Sequence, residues 1–176
     1  MKIIIMGPQG SGKSTQAKLL AEKLALPHLQ TGDLFRKIAV GEDALAKRIK
    51  QTLDEGKLVP DKEYNQILGN EIVKPEYRNG FVIDGSPRTL AQASSLPFEP
   101  DKVFYLNVSD EENINRLSKR GRADDTPELI NKRLGLYHEQ TEPVLEYYRQ
   151  KNILQEVDGE RSIEAIFEDI KGRVIA

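Results

Sequence analysis

Solid apolar runs alternate with amphipathic stretches along this chain. Residues 2–6, 80–84, 102–108 and 153–157 are short apolar runs, the clearest of them solid with Ile, Val, Phe, Tyr and Leu, and a brief segment at 28–30 joins them. An apolar run without alternation marks a strand buried on both faces. Helix-period stretches separate these runs, and such β–α alternation predicts a parallel sheet with right-handed crossovers. The expected architecture is α/β, a five-stranded parallel sheet between helices.

Several helix boundaries are written locally. Ser109-Asp110-Glu111-Glu112 reads as a capping box, Ser109 at the N-cap and Glu112 three residues on. Thr126-Pro127-Glu128 places an N-cap hydroxyl before a proline at the first helical position, with an acid in the first turn. Pro143 kinks or ends the helix opened there, unless that helix is two pieces. Between the second and third strands, residues 31–60 hold two short helical patterns and no strong strand. This stretch is expected as a helical insertion at the edge of a core formed by residues 1–30 and 61–176.

Composition narrows the function classes. The 176 residues suit one domain with an excursion. The chain has no cysteine, which excludes disulfides and thiolate chemistry and fits a reducing cytoplasm. A net charge of −2 gives no global basic field for nucleic acid or an anionic membrane. The apolar start is too short for a signal peptide or a membrane span. The expectation is a cytoplasmic monomer.

Gly7-Pro8-Gln9-Gly10-Ser11-Gly12-Lys13-Ser14 fits the phosphate-loop pattern G-x-x-x-x-G-K-S/T at every fixed position, after a strand and before a helix. Glycines let successive backbone N–H groups converge on phosphate oxygens, and the helix that follows turns its positive end to the same place. Lys13 then bridges the outer phosphates, and a hydroxyl of Ser14 or Thr15 sits near Mg²⁺. The competing reading, a ligand-free glycine-rich turn, does not account for the complete motif in this context. The expected fold is thus a three-layer P-loop NTPase type. The motif itself names no phosphoryl acceptor.

Further segments do. Thr31-Gly32-Asp33-Leu34-Phe35-Arg36, Gly56-Lys57-Leu58-Val59-Pro60-Asp61, Gly80-Phe81-Val82-Ile83-Asp84-Gly85-Ser86-Pro87-Arg88-Thr89 and Arg120-Gly121-Arg122-Ala123-Asp124-Asp125-Thr126-Pro127-Glu128, with Lys132-Arg133-Leu134 after them, resemble the adenylate kinases in order and spacing. The resemblance covers nearly the whole chain. It implies transfer of a phosphoryl group from MgATP to AMP, giving two ADP. It implies AMP contacts from Thr31, Arg36, Lys57, Leu58, Val59, Gly85, Ser86, Pro87, Arg88 and Gln92. On the ATP side it implies Gly10, Ser11, Gly12, Lys13, Ser14, Thr15, Arg116, Arg120 and, less directly, Arg161. Arg122 and Arg133 match arginines at the reacting phosphates, reached also by Lys13, Arg88 and Arg120. Asp84 matches the acid that orders Mg²⁺ through water, with Asp33 assisting.

The same residues make chemical sense without the family. Two nucleotides bring about six negative charges together, so their reaction needs fixed cations. Arginine's planar fork binds phosphate oxygens two at a time and stays charged. Arg116 and Arg120 are four apart on one expected helix and share a face. The attacking phosphate oxygen is already largely ionised near neutral pH, so no general base is required. His28 and His138 accordingly receive no role, and Tyr137, Tyr147 and Tyr148 are read as helix packing.

The chain departs from the family pattern at three points. Ser86 stands where members usually have Phe, which removes an aromatic wall beside the AMP site. Ser14 stands where they usually have Gly. Only Gly121 separates Arg120 from Arg122, where members carry a longer lid, so residues 120–126 are expected as a minimal lid loop. Alternative readings are a UMP/CMP or broader nucleoside monophosphate kinase, and a P-loop ATPase acting as a regulatory or assembly factor. The resemblance favours AMP over pyrimidine acceptors at Thr31 and at the pair Thr89 and Gln92, since pyrimidine-specific relatives typically carry Ala and Asn at the Thr31 and Thr89 positions.

Overall fold

Successive residues of a strand face opposite sides of its sheet, and β1 (Lys2–Met6) is apolar on both. Ile3 and Ile5 enter one hydrophobic cluster, Ile4 and Met6 another. The computed structural model describes residues 1–120 and 126–175. In it β1 lies at the centre of a parallel sheet with β2 (His28–Gln30), β3 (Phe81–Asp84), β4 (Lys102–Asn107) and β5 (Leu154–Asp158), in the order β2-β3-β1-β4-β5. The five expected strands form, within a residue or so of their expected ends.

Helices cover both faces. α1 (Lys13–Leu24) and α9 (Ile163–Ile175) seal one with Ala17, Leu20, Ala21, Ile166, Ile170 and Val174. On the other lie α2 (Thr31–Ile38), α3 (Ala44–Asp54), α4 (Asp61–Ile72), α5 (Leu90–Ser94) and α8 (Pro143–Gln150), which bury Phe35, Ile49, Tyr64, Leu68 and Tyr148 among others. Residues 31–60 form the two expected helices and no strand.

The expected capping box is half formed. α6 (Asp110–Arg120) starts at Ser109, whose Oγ accepts the Glu112 N–H at 3.4 Å. Glu112 does not reciprocate; it takes Arg116 Nε at 2.7 Å. The Ser109 N–H and hydroxyl instead donate to Glu160 Oε1, at 2.9 and 2.6 Å. Glu160 lies just beyond β5, so a tertiary partner has displaced the local one.

α7 (Pro127–Leu136) is capped as expected, with Thr126 Oγ1 accepting the Leu129 N–H at 3.3 Å. The helix run then passes through a π turn (Tyr137–Thr141), closed by the Glu142 N–H on the Tyr137 carbonyl at 2.9 Å, before α8 begins at Pro143. The run is thus in pieces, and Pro143 sits at a helix start, where its missing N–H leaves no bond unmade. Tyr148 packs in the core as expected.

Candidate active site

The carboxyl ends of parallel strands are where an open α/β sheet binds ligands, most of all where neighbouring connections part to opposite sides. Here that point lies at β1, between β3 and β4. Met6, Gln30 and Asp84, the last residues of β1, β2 and β3, line a cleft of about 440 Å³.

The phosphate loop forms one wall. Gly10 has φ +91°, and a Cβ there would fall 2.7 Å from the Asn113 carbonyl oxygen, so only glycine fits without a shift. Gly12 is the N-cap of α1 and supplies no capping side chain, which leaves the first N–H groups of that helix available to an anion. Lys13 Nζ folds back onto the Pro8 carbonyl at 3.1 Å. Gly10, Gly12, Lys13, Ser14 and Thr15 line the cleft, as do Arg116 and Arg120 from α6. Arg116 is braced by Glu112 and by the Ser11 and Gly159 carbonyls, at 3.4 and 3.0 Å. Ser11, within the loop, is fully buried.

The opposite wall carries a second set of cations. Arg36, Arg88 and Arg133 all line the cleft, together with Lys57, Leu58, Val59, Gly85, Ser86, Pro87 and Gln92. Arg88 Nε donates to the Gly85 carbonyl at 2.7 Å. Burial holds its guanidinium below the usual arginine range, opposed by Asp84 and reinforced by Arg133 and Arg36. A desolvated guanidinium beside two further arginines is costly unless an anion joins it, although Arg36 itself is exposed. Gln92 is buried; its Oε1 accepts the Arg88 N–H at 2.8 Å and its Nε2 faces the Val59 carbonyl at 3.5 Å. Thr31 is buried too, donating to the Asp84 carbonyl at 3.0 Å behind Gly85.

Between the walls lies Asp84, only 1% exposed. Ser14 Oγ donates to its Oδ1 at 2.9 Å, and His28 Nε2 meets its Oδ2 at 2.5 Å. Gln30 Nε2 in turn donates to Ser14 Oγ at 2.9 Å. Sequence reasoning gives His28 and Gln30 no role. The available signal was their place at the end of a strand that pairs with β3, which puts Gln30 beside Asp84 in register.

Five candidates fall outside this grouping, and two of them, Ser11 and Thr31, are buried and do not line the cleft. Arg161 does not line the cleft and pairs with Asp169 at 2.6 Å, so the structure does not bring it to the ATP side. Asp33 is exposed and engages Arg36 rather than the carboxylate of Asp84. Arg122 lies outside the described residues, as does most of the expected lid loop. Conversely, Tyr64 and Tyr137 line the cleft without having been singled out for it. Tyr64 supplies an aromatic surface beside Ser86, packed against Phe35 with ring centroids 6.1 Å apart.

The adenylate kinase family model matches residues 5–153, which includes both walls of the cleft. The chain belongs to the adenylate kinase family. An adenylate kinase of Chelativorans sp. (strain BNC1) is 39% identical over 189 aligned positions, covering 98% of this chain and 97% of its own. One from Mycobacterium sp. (strain MCS) is 41% identical over 174 positions, with 95% of each chain covered. The adenylate kinase of Agathobacter rectalis is 36% identical over 210 positions, covering 98% of each. That last alignment is longer than this chain, so the relative holds residues with no counterpart here.

Proposed function

We propose that this enzyme catalyses the reversible transfer of the terminal phosphoryl group of ATP to AMP, forming two ADP. The observation that carries the reading is the facing of two cationic walls across one cleft. Gly10, Gly12, Lys13, Ser14 and Thr15 with Arg116 and Arg120 form one, and Arg36, Arg88 and Arg133 form the other. A hydrolase needs the first wall only, because water brings no charge.

In this reading the phosphate loop and the α1 N-terminus hold the ATP phosphates, while Arg36 and Arg88 hold the AMP phosphate. The Val59 carbonyl and the Gln92 amide offer an acceptor beside a donor, the pattern that meets adenine's amino group and ring nitrogen. An AMP phosphate oxygen attacks the terminal phosphorus in line; the bond to the bridging oxygen breaks and ADP departs. No proton must be removed, and Lys13, Arg88, Arg120 and Arg133 stabilise the charge on the transferring group. The family resemblance adds Arg122 to this set.

Mg²⁺ fits the site. A buried carboxylate with a hydroxyl 2.9 Å away offers hard oxygen donors at the end of the phosphate loop. Asp84 would hold the ion through water and Ser14 or Thr15 would approach it directly. When bound it neutralises phosphate charge. Residues 31–60 serve as the acceptor-side arm and 120–126 as a minimal lid. Among the described residues no helix is long and apolar enough to cross a membrane, and we read the enzyme as a cytoplasmic monomer.

A coupled assay of diphosphate formation from MgATP with AMP, UMP, CMP or GMP tests the reading. ADP formed with AMP in clear preference to the others is expected. Equal rates with pyrimidine acceptors, or ATP loss independent of any acceptor, would overturn it.

A further inference from the structure

In the acceptor wall, two hydroxyl groups are buried against each other. Ser86, 3% exposed, stands in the turn after β3, and Tyr64, 2% exposed, reaches it from α4. Their oxygens share a hydrogen bond, and both residues line the cleft. Tyr64 is fixed by its tilted contact with Phe35, and burial pushes its phenol well above the usual range, so it stays protonated.

Hydrogen counting gives the consequence. Two hydroxyls carry two hydrogens, and the bond between them uses one. Among the described residues neither oxygen meets another partner. The phenol is the stronger donor, so it donates to Ser86, and the serine hydrogen is left to point elsewhere. A buried donor of this kind is satisfied when a ligand oxygen arrives. Ser86 is also placed for such a ligand. It follows Gly85, whose carbonyl holds Arg88, and lines the same cleft as Arg88 and Gln92.

We propose that the Ser86 hydroxyl donates a hydrogen bond to a sugar or phosphate oxygen of the acceptor nucleotide, and that Tyr64 is the positioning residue that holds it there. The inference rests on the reading of this wall as the acceptor site. A phenylalanine at position 86 would offer the acceptor surface but no donor. The pair Tyr64 and Ser86 supplies both from two residues.

Calorimetry of AMP binding, steady-state kinetics and thermal melting are measured on the wild type, Ser86→Ala, Tyr64→Phe and the double variant. Expected for Ser86→Ala is a rise of about three- to tenfold in the AMP Kd and KM, with kcat and the ATP KM little changed. Tyr64→Phe keeps the serine but frees its rotor, and weakens AMP in the same direction. The two effects are less than additive in the double variant. If both single variants melt cooperatively and bind AMP like the wild type, the pair is a core contact only and the proposal fails, whatever happens to Tm. Repeating the titrations with 2′-deoxy- and 3′-deoxy-AMP separates the sources. Loss of the Ser86→Ala penalty with one of them assigns the contact to that sugar hydroxyl, and its persistence with both assigns it to phosphate. Failure of the wild type to use AMP would refute the acceptor reading instead, a separate result.

Discussion

Ser14 Oγ donates to Asp84 Oδ1 at 2.9 Å, joining the end of the phosphate loop to the end of β3 across 70 residues of chain. The serine hydrogen is committed to the carboxylate and one lone pair accepts from Gln30, which leaves a second lone pair for a cation. Asp84 therefore aligns a hydroxyl as well as carrying the charge.

Asp84→Asn keeps the shape but replaces an acceptor-only carboxylate with an amide. Activity at saturating Mg²⁺ is expected to fall about 10- to 100-fold, and the Mg²⁺ concentration for half-maximal rate to rise. Titrating Mg²⁺ against rate, with circular dichroism to confirm folding, checks this. An unchanged Mg²⁺ dependence would separate Asp84 from the ion.

Arg133 projects from α7 into the cleft and contributes to the field felt by Arg88. Arg133→Ala should lower kcat by about 100- to 1,000-fold while ATP binding by calorimetry stays near wild type. Arg133→Lys should recover only part, since an ammonium lacks the two-pronged fork. Full activity in the alanine variant would remove Arg133 from the reacting centre.

Thr141 is the last residue of the π turn, and its Oγ1 donates to the Arg88 carbonyl at 2.9 Å. Thr141→Val is nearly isosteric and leaves that carbonyl unmet, at an expected cost of about 1–3 kcal/mol in urea unfolding. Because Arg88 loses its brace, kcat should fall more than the ATP KM changes. A variant that loses stability but keeps kcat would limit Thr141 to the scaffold.

His138 bridges two helix ends, with Nδ1 2.9 Å from Glu142 and Nε2 2.9 Å from Asp110. Hydrogen bonds to Glu142 and then Asp110 raise its pKa above the ordinary imidazole value. The stabilisation is therefore complete below that ordinary value and disappears as pH rises through the raised one. The Tm gap between wild type and His138→Gln should be widest near pH 6 and shrink by about pH 8.5. The groups are exposed and the gap is small. A gap that widens with pH would reverse the assignment.

The strands, the phosphate loop and the order of the motifs were legible because each is a local pattern. A triple-isoleucine run specifies burial on both faces wherever it occurs, and Gly-x-Gly-Lys-Ser shapes a loop by its own backbone freedom. Most candidate residues gather on the cleft for the same reason, since they sit at the ends of elements that the pattern located. Arg161 illustrates the limit. Nothing adjacent in sequence announces that Asp169, one helix turn into α9 and beyond, takes its guanidinium.

The sequence alone determined which segments are strands, which loop carries the phosphate-loop motif and which family the chain resembles, because those depend on short-range geometry and on residue types at fixed spacing. Tertiary structure decided the partners: Glu160 in place of Glu112 at Ser109, His28 and Gln30 around Asp84 and Ser14, and Tyr64 against Ser86. A side chain's hydrogen-bond capacity is written in its chemistry. Which group satisfies it depends on strand register and helix packing, which bring together residues that no local spacing relates.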